Sequence, residues 1–377
     1  MIYLDHAATT PCRAEAVAAM LPYLESHFGN PSSVHIAGQA AREGLDRSRD
    51  RVARALNARP EEIIFTSGGT EADNLALFGC FLQHRGRRQH LITASTEHHA
   101  VLHTAEWLRE LGAEVTVLDV DGEGRVDPEA VRSAIRPDTF LVSIMAANNE
   151  IGTLAPITEI GEVCREAGIP FHTDAVQWVG AMPVDVRSLP VDFLTLTAHK
   201  FYGPKGAGVL FARRGVRFQP TVRGGSQERG KRAGTENVAA IVGLAEALDL
   251  VQQEQEQESV RQTELRDYLI ASVLESIPIA RLNGPRAGRL PNNAHFSFPG
   301  IESDIMVLNL DLEGIAASSG SACAAGAIEP SHVVKAIGLD HEHAVSALRL
   351  SLGRSTTRGE IDQTVNALQR IVQRLTG

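Results

Sequence analysis

Lysine is scarce in this chain, and its placement is the first chemical signal. Lys200, Lys205, Lys231 and Lys335 are the only four, and two of them fall within Thr195-Leu-Thr-Ala-His-Lys-Phe-Tyr-Gly-Pro-Lys-Gly-Ala-Gly208. The apolar, β-branched run 191–197 predicts a buried strand that delivers His199 and Lys200 to its C-terminal end, just before a Gly/Pro-rich turn. Ligand sites of open α/β sheets lie at such ends. A lysine, unlike an arginine, can lose its proton and attack a carbonyl, so Lys200 is a candidate amine nucleophile; a solvated lysine at a strand end is the plain alternative.

Four more stretches carry usable groups. Ile63-Ile-Phe-Thr-Ser-Gly-Gly-Thr-Glu runs from a strand into a helix whose first N–H groups, flanked by glycines, suit a phosphate; a simple N-cap would look alike. Pro170-Phe-His-Thr-Asp-Ala-Val-Gln177 ends a second apolar strand in Asp174, an acid able to pair with a heteroaromatic N–H⁺ or to cap a helix. His98, His99 and His103 follow a third strand, but no His-Glu-x-x-His or cysteine partner supports a metal, and a histidine stacked on a planar cofactor is the better functional reading. Asn148 and Asn149 end a fourth strand, either as ligands of a cofactor or substrate edge or as turn residues. A Schiff-base lysine, a phosphate-binding helix start and an acid for a ring nitrogen are together what pyridoxal phosphate requires.

The elements that must position these groups follow an alternating rhythm. After two helical patterns near 13–28 and 37–57, strands and helices alternate from residue 62 to 173, which predicts a mostly parallel sheet covered by helices. Strands at 191–197 and 206–212 are too close together for a helical crossover, so one is expected to be antiparallel and the sheet mixed. A polar helical run at 251–259 reads as a solvated bridge to a smaller α+β domain. The expected fold is thus α/β, a mixed and mostly parallel sheet with helices on both faces plus that smaller domain. Its expected units are an N-terminal arm (1–12), a large domain (13–255) and a small domain (256–377).

Composition is that of an ordinary globular chain: 377 residues, 43% hydrophobic and 22% charged. A formal net charge of −10 with no basic run argues against nucleic-acid binding. No apolar stretch reaches membrane-spanning length and the N-terminus lacks an export signal, so a cytoplasmic protein is expected. The four cysteines, Cys12, Cys80, Cys164 and Cys323, are far apart with no C-x-x-C, which supports neither a disulfide framework nor a zinc ribbon. Cys80 and Cys164 lie in apolar helical patterns. Cys323 instead sits in Ser318-Ser-Gly-Ser-Ala-Cys-Ala-Ala-Gly-Ala327, whose small residues and two glycines suit a loop.

Together with Phe28-Gly-Asn-Pro-Ser-Ser, Ser67-Gly-Gly-Thr-Glu, Thr96-Glu-His, Asn148-Asn-Glu-Ile-Gly, Asp174-Ala-Val-Gln, Ala198-His-Lys-Phe-Tyr-Gly-Pro-Lys-Gly and Arg232-Ala-Gly-Thr-Glu-Asn, these residues resemble a cysteine desulfurase of the class V aminotransferase family, among the fold-type-I pyridoxal-phosphate enzymes. The likeness runs from Tyr3 to Arg354. It implies that Lys200 holds pyridoxal phosphate as a Schiff base, Asp174 pairs with the ring nitrogen, Gln177 bonds the ring hydroxyl and His98 stacks on the ring. It further implies that Gly69, Thr70, Thr197 and His199 hold the phosphate, with Thr235 reaching it from the second subunit of a homodimer. Asn149 and Arg349 would grip the α-carboxylate of L-cysteine. Cys323 would take the sulfur as a persulfide, leave L-alanine, and hand the sulfur to an acceptor protein for iron–sulfur cluster assembly or another thiolation pathway. Thr197 stands where relatives often have Ser, and Ala324 where many have Ser or Thr. Cys323 separates this reading from other class V enzymes such as aminotransferases or kynureninase-like lyases, which share the cofactor residues, and leaves a selenocysteine lyase as the alternative.

Overall fold

The computed structural model describes residues 1–320 and 330–376. In chain order the strands are β1 (Ile2–Tyr3), β2 (Ile63–Thr66), β3 (His90–Ala94), β4 (Glu114–Leu118), β5 (Thr139–Ser143), β6 (Phe171–Asp174), β7 (Phe193–Thr197), β8 (Gly208–Ala212), β9 (Arg281–Leu282), β10 (Asn293–Ser297), β11 (Ile315–Ala316) and β12 (Ala347–Ser351). Seven form the main sheet in the order β2-β8-β7-β6-β5-β3-β4. β8 runs antiparallel to both β2 and β7, and the other pairings are parallel. The sheet is therefore mixed and mostly parallel, with its one reversed strand where the short connection after 197 requires it.

Alternation along each strand explains why both faces are covered. Ile63, Phe65, Leu194, Leu196, Val209 and Phe211 point into one apolar core with the helices Ile36–Ala55 and Ile157–Ala167. Ile64, Phe193, Leu210 and Leu91 point into another, under the helices Gly69–His84 and His99–Glu110.

A third core joins β10 and β12 to the helices Ser303–Leu312 and Arg358–Thr376. The helix Val238–Ser276 belongs to two of these cores, giving Ile241, Leu244 and Leu248 to the first and Leu269, Ile270 and Val273 to the third. Its middle, expected to be a solvated bridge, is polar but fastened: Glu254 pairs with Arg13 and Arg354, Gln255 donates to the Ala181 carbonyl, and Glu258 pairs with Arg261.

The N-terminal arm ties the cores together. Leu4 is fully buried in the third core, β1 pairs with β11, and Asp5 bridges Ser351. The chain then crosses to the main sheet, where the Thr10 N–H donates to the His199 carbonyl (2.9 Å).

Candidate active site

Five parallel-strand ends of the main sheet deliver the chemistry. β2 leads into Gly68–Gly69–Thr70, β3 to His98, β5 to Asn149, β6 ends on Asp174 and leads to Gln177, and β7 ends on Thr197 and leads to His199 and Lys200. Gly68 apart, these residues and Arg349 of β12 line one cavity of about 490 Å³, a size that suits a cofactor with a small substrate. Thr235 is exposed and does not line it, and Cys323 lies outside the described residues.

Lys200 Nζ donates to the carbonyls of Ala7 (2.6 Å) and Ala8 (2.8 Å), so the arm holds the amine in the cavity. Burial, and next the Arg349 charge, lower its pKa to about 8, which leaves about a tenth of it as free amine at pH 7. The turn after it is strained: Tyr202 has φ 67, and its N–H is held by Thr10 Oγ1 (2.8 Å). Lys205 is exposed and does not line the cavity.

Asp174 is 5% exposed, and its carboxylate accepts one hydrogen bond among the described residues, from the Val176 N–H (2.9 Å). Burial, then the neighbouring Asp73, raise its pKa to about 7. Behind it His172 Nε2 lies 3.5 Å from Asp73 Oδ1, but burial lowers the histidine to about 4 and raises Asp73 to about 8, so that pair is neutral rather than ionic. No cation is within ion-pair distance of Asp174 among the described residues, and the second oxygen of this acid is free to meet a protonated ring nitrogen from the cavity.

The phosphate end fits as well. The helix Gly69–His84 has no side-chain cap, because Gly68 occupies the N-cap, so its first-turn N–H groups are left for an anion. Close packing shapes this corner: a Cβ on Gly208 would come within 2.7 Å of the Gly68 Cα. His98 is open to the cavity while its Nδ1 accepts from the Ala100 N–H (3.1 Å). Burial, then the Lys200 charge, push its pKa down to about 4, which keeps a neutral, flat ring available for stacking. His199, lowered to about 4 by burial, bonds Thr9 Oγ1 (3.2 Å).

The two asparagines divide. Asn148 is buried and serves the turn, donating to the Thr96 carbonyl and accepting from the Glu150 and Ile151 N–H groups; Asn149 lines the cavity. Sequence reasoning missed the arm. Ala7 and Ala8 hold Lys200, Ala7 also accepts from Gln177 Nε2 (2.9 Å), Thr9 meets His199, and Asp5 pairs with Arg349. Most of these contacts use backbone carbonyls, which leave no residue-type signal.

Residues 2–364 match the aminotransferase class-V family model. The chain is 50% identical over 374 residues to the cysteine desulfurase IscS of Dictyoglomus turgidum (strain DSM 6724 / Z-1310), covering 99% of this chain and 95% of that protein. Its structure superposes on a NifS-like protein with a TM-score of 0.94 at 34% identity, covering 99% of this chain and all of the other. It superposes on SspA in complex with cysteine with a TM-score of 0.82 at 37% identity, covering 93% and 99%.

Proposed function

The chain belongs to the aminotransferase class-V family and is a cysteine desulfurase, and on that premise we propose how its residues divide the work on L-cysteine. The observation that carries the proposal is the cavity lined by a lysine with a lowered pKa (Lys200), an acid with no cationic partner among the described residues (Asp174), a neutral histidine (His98) and a guanidinium (Arg349).

The family is pyridoxal-phosphate-dependent, and the residues present fit that cofactor: the uncapped helix start with Thr197 and His199 for its phosphate, Asp174 for its ring nitrogen, His98 and Gln177 for its ring, Lys200 for its aldehyde. When bound, the cofactor supplies an electron sink for the substrate's α-carbon. Asp174 keeps the ring nitrogen protonated. Arg349 and Asn149 fix the substrate carboxylate and so orient the α-proton toward Lys200, whose lowered pKa suits it to take and return that proton. Cys323, as thiolate, forms a bond to the substrate sulfur as the carbon–sulfur bond breaks. The electron pair of that bond stays with the carbon fragment, which gains a proton and leaves as L-alanine, and the sulfur remains as the Cys323 persulfide.

Two features support further parts of the reading. Thr235 is exposed and outside this chain's own cavity, and the 28–36 segment exposes large apolar side chains, with Phe28 71%, Val34 88% and Ile36 86% exposed. Both suit a second copy of the chain whose Thr235 reaches across to the phosphate. No helix among the described residues is long and apolar enough to cross a membrane. A sulfur-acceptor protein completes the cycle, with iron–sulfur cluster assembly as the proposed destination.

The test is chemical. Mass spectrometry after L-cysteine should place one added sulfur on Cys323, with L-alanine released in step. Cys323→Ala should bind the cofactor normally while sulfur transfer falls by ~10²-fold. The added mass on Cys80 or Cys164 would overturn the assignment; both are buried, and burial pushes their thiols up, Cys164 to about 12, so neither is a competent thiolate.

A further inference from the structure

Arg349 is a buried cation waiting for a carboxylate. Its side chain is 5% exposed, and a charge that deep needs a partner whenever the substrate is away. The one carboxylate within ion-pair distance among the described residues is Asp5, whose Oδ1 accepts from Nη2 at 2.8 Å. Nη1 is engaged with the Asn149 carbonyl (3.0 Å), and Nε, though buried, has no partner among the described residues.

The guanidinium edge that carries Nε and Nη2 is therefore half used. Two-point pairing with a substrate carboxylate on that edge must share Nη2 with Asp5 or displace Asp5 from it. Asp5 is also fixed in place. Its backbone bridges Ser351, and its carbonyl accepts from Tyr3 Oη (3.1 Å) and the Ala8 N–H (3.1 Å), in the same arm segment that holds Lys200.

Building on the reading of Arg349 as the carboxylate-binding residue, we infer that Asp5 is the resting counter-ion of Arg349, a stand-in for the amino-acid carboxylate, so that ligands bind and leave by carboxylate-for-carboxylate exchange. Asp5 is thus a positioning residue. It keeps the guanidinium aimed and neutralised in the empty site, and its nearby charge weakens the hold on both L-cysteine and L-alanine, which favours product release. Asn at this position would keep an oxygen for Nη2 and remove the charge.

The experiment titrates holoenzyme with L-alanine, followed by the cofactor absorbance, and with 2-aminoethanethiol, which has the amine and sulfur of cysteine but no carboxylate. Asp5→Asn should tighten L-alanine roughly tenfold, leave 2-aminoethanethiol unchanged, and lower KM for L-cysteine together with kcat as release slows. Asp5→Ser should reproduce the shift if the Asn variant folds poorly. Unchanged or weaker L-alanine binding in the variants would overturn the inference. Arg349→Gln keeps the two readings apart. If it weakens L-alanine ~10²-fold while the Asp5 variants do not tighten it, only the Asp5 inference fails; if it leaves L-alanine binding intact, the Arg349 reading fails.

Discussion

Lys200→Ala is expected to abolish borohydride-fixable attachment of pyridoxal phosphate and to lower L-alanine formation from L-cysteine by ~10⁴-fold or more, because the variant loses both the covalent anchor and the group that moves the α-proton. Lys205→Ala should retain both. The contrast rests on position: Lys200 Nζ is held at the cavity by two arm carbonyls, whereas Lys205 is exposed in the turn beyond. A pH dependence follows from the lowered Lys200 pKa. Raising the pH through about 8 converts the ammonium to the nucleophilic amine, so capture of pyridoxal phosphate by the cofactor-free protein should speed up through that range and then level off. Peptide mapping after reduction decides the site, and a pyridoxyl group on residue 205 would overturn the assignment.

The parts of this molecule that were legible in the sequence are those with strong local periodicity or rare residue types. The main sheet was readable because each strand alternates between two buried faces, as Ile63, Ile64 and Phe65 do, and because the chain between 197 and 208 is too short for a crossover helix. Lys200 was readable because lysine is so rare here.

Other parts left no such trace. β1 and β11 have two residues each, and the helices His332–Ala336 and His341–Val345 have five, too few to establish a period. Asn148 and Asn149 are chemically identical neighbours, and only the turn geometry sends one to the backbone and the other to the cavity. The arm's part in the site was hidden by distance, since Ala7 and Lys200 are 193 positions apart and meet through a carbonyl that any residue carries. Asp73 sits in a helical run and gave no hint that it shares a buried acidic corner with Asp174.

That corner governs the second large effect. Asp174→Asn keeps the Val176 hydrogen bond within reach of Oδ1 but cannot hold a ring nitrogen protonated, so α-proton exchange of L-alanine in heavy water, followed by NMR, should fall by ~10³-fold. The exchange needs no sulfur chemistry and so reports on Asp174 independently of Cys323. Stability of the cofactor-free protein gives a signed companion test. Folding raises the Asp174 pKa from 3.8 to about 7, so its contribution is favourable below the unfolded value and is lost as pH rises toward and through 7, where the wild type must bury an unpaired charge next to Asp73. The Asn variant escapes that cost. Its melting temperature without cofactor should therefore exceed the wild type's at pH 8 and approach it at pH 5. Adding pyridoxal phosphate should reverse the order at pH 8, because only the wild-type carboxylate gains a cationic partner. Equal melting temperatures at pH 8 without cofactor, or near-normal proton exchange at full cofactor occupancy, would show that Asp174 is not the acid that faces the ring.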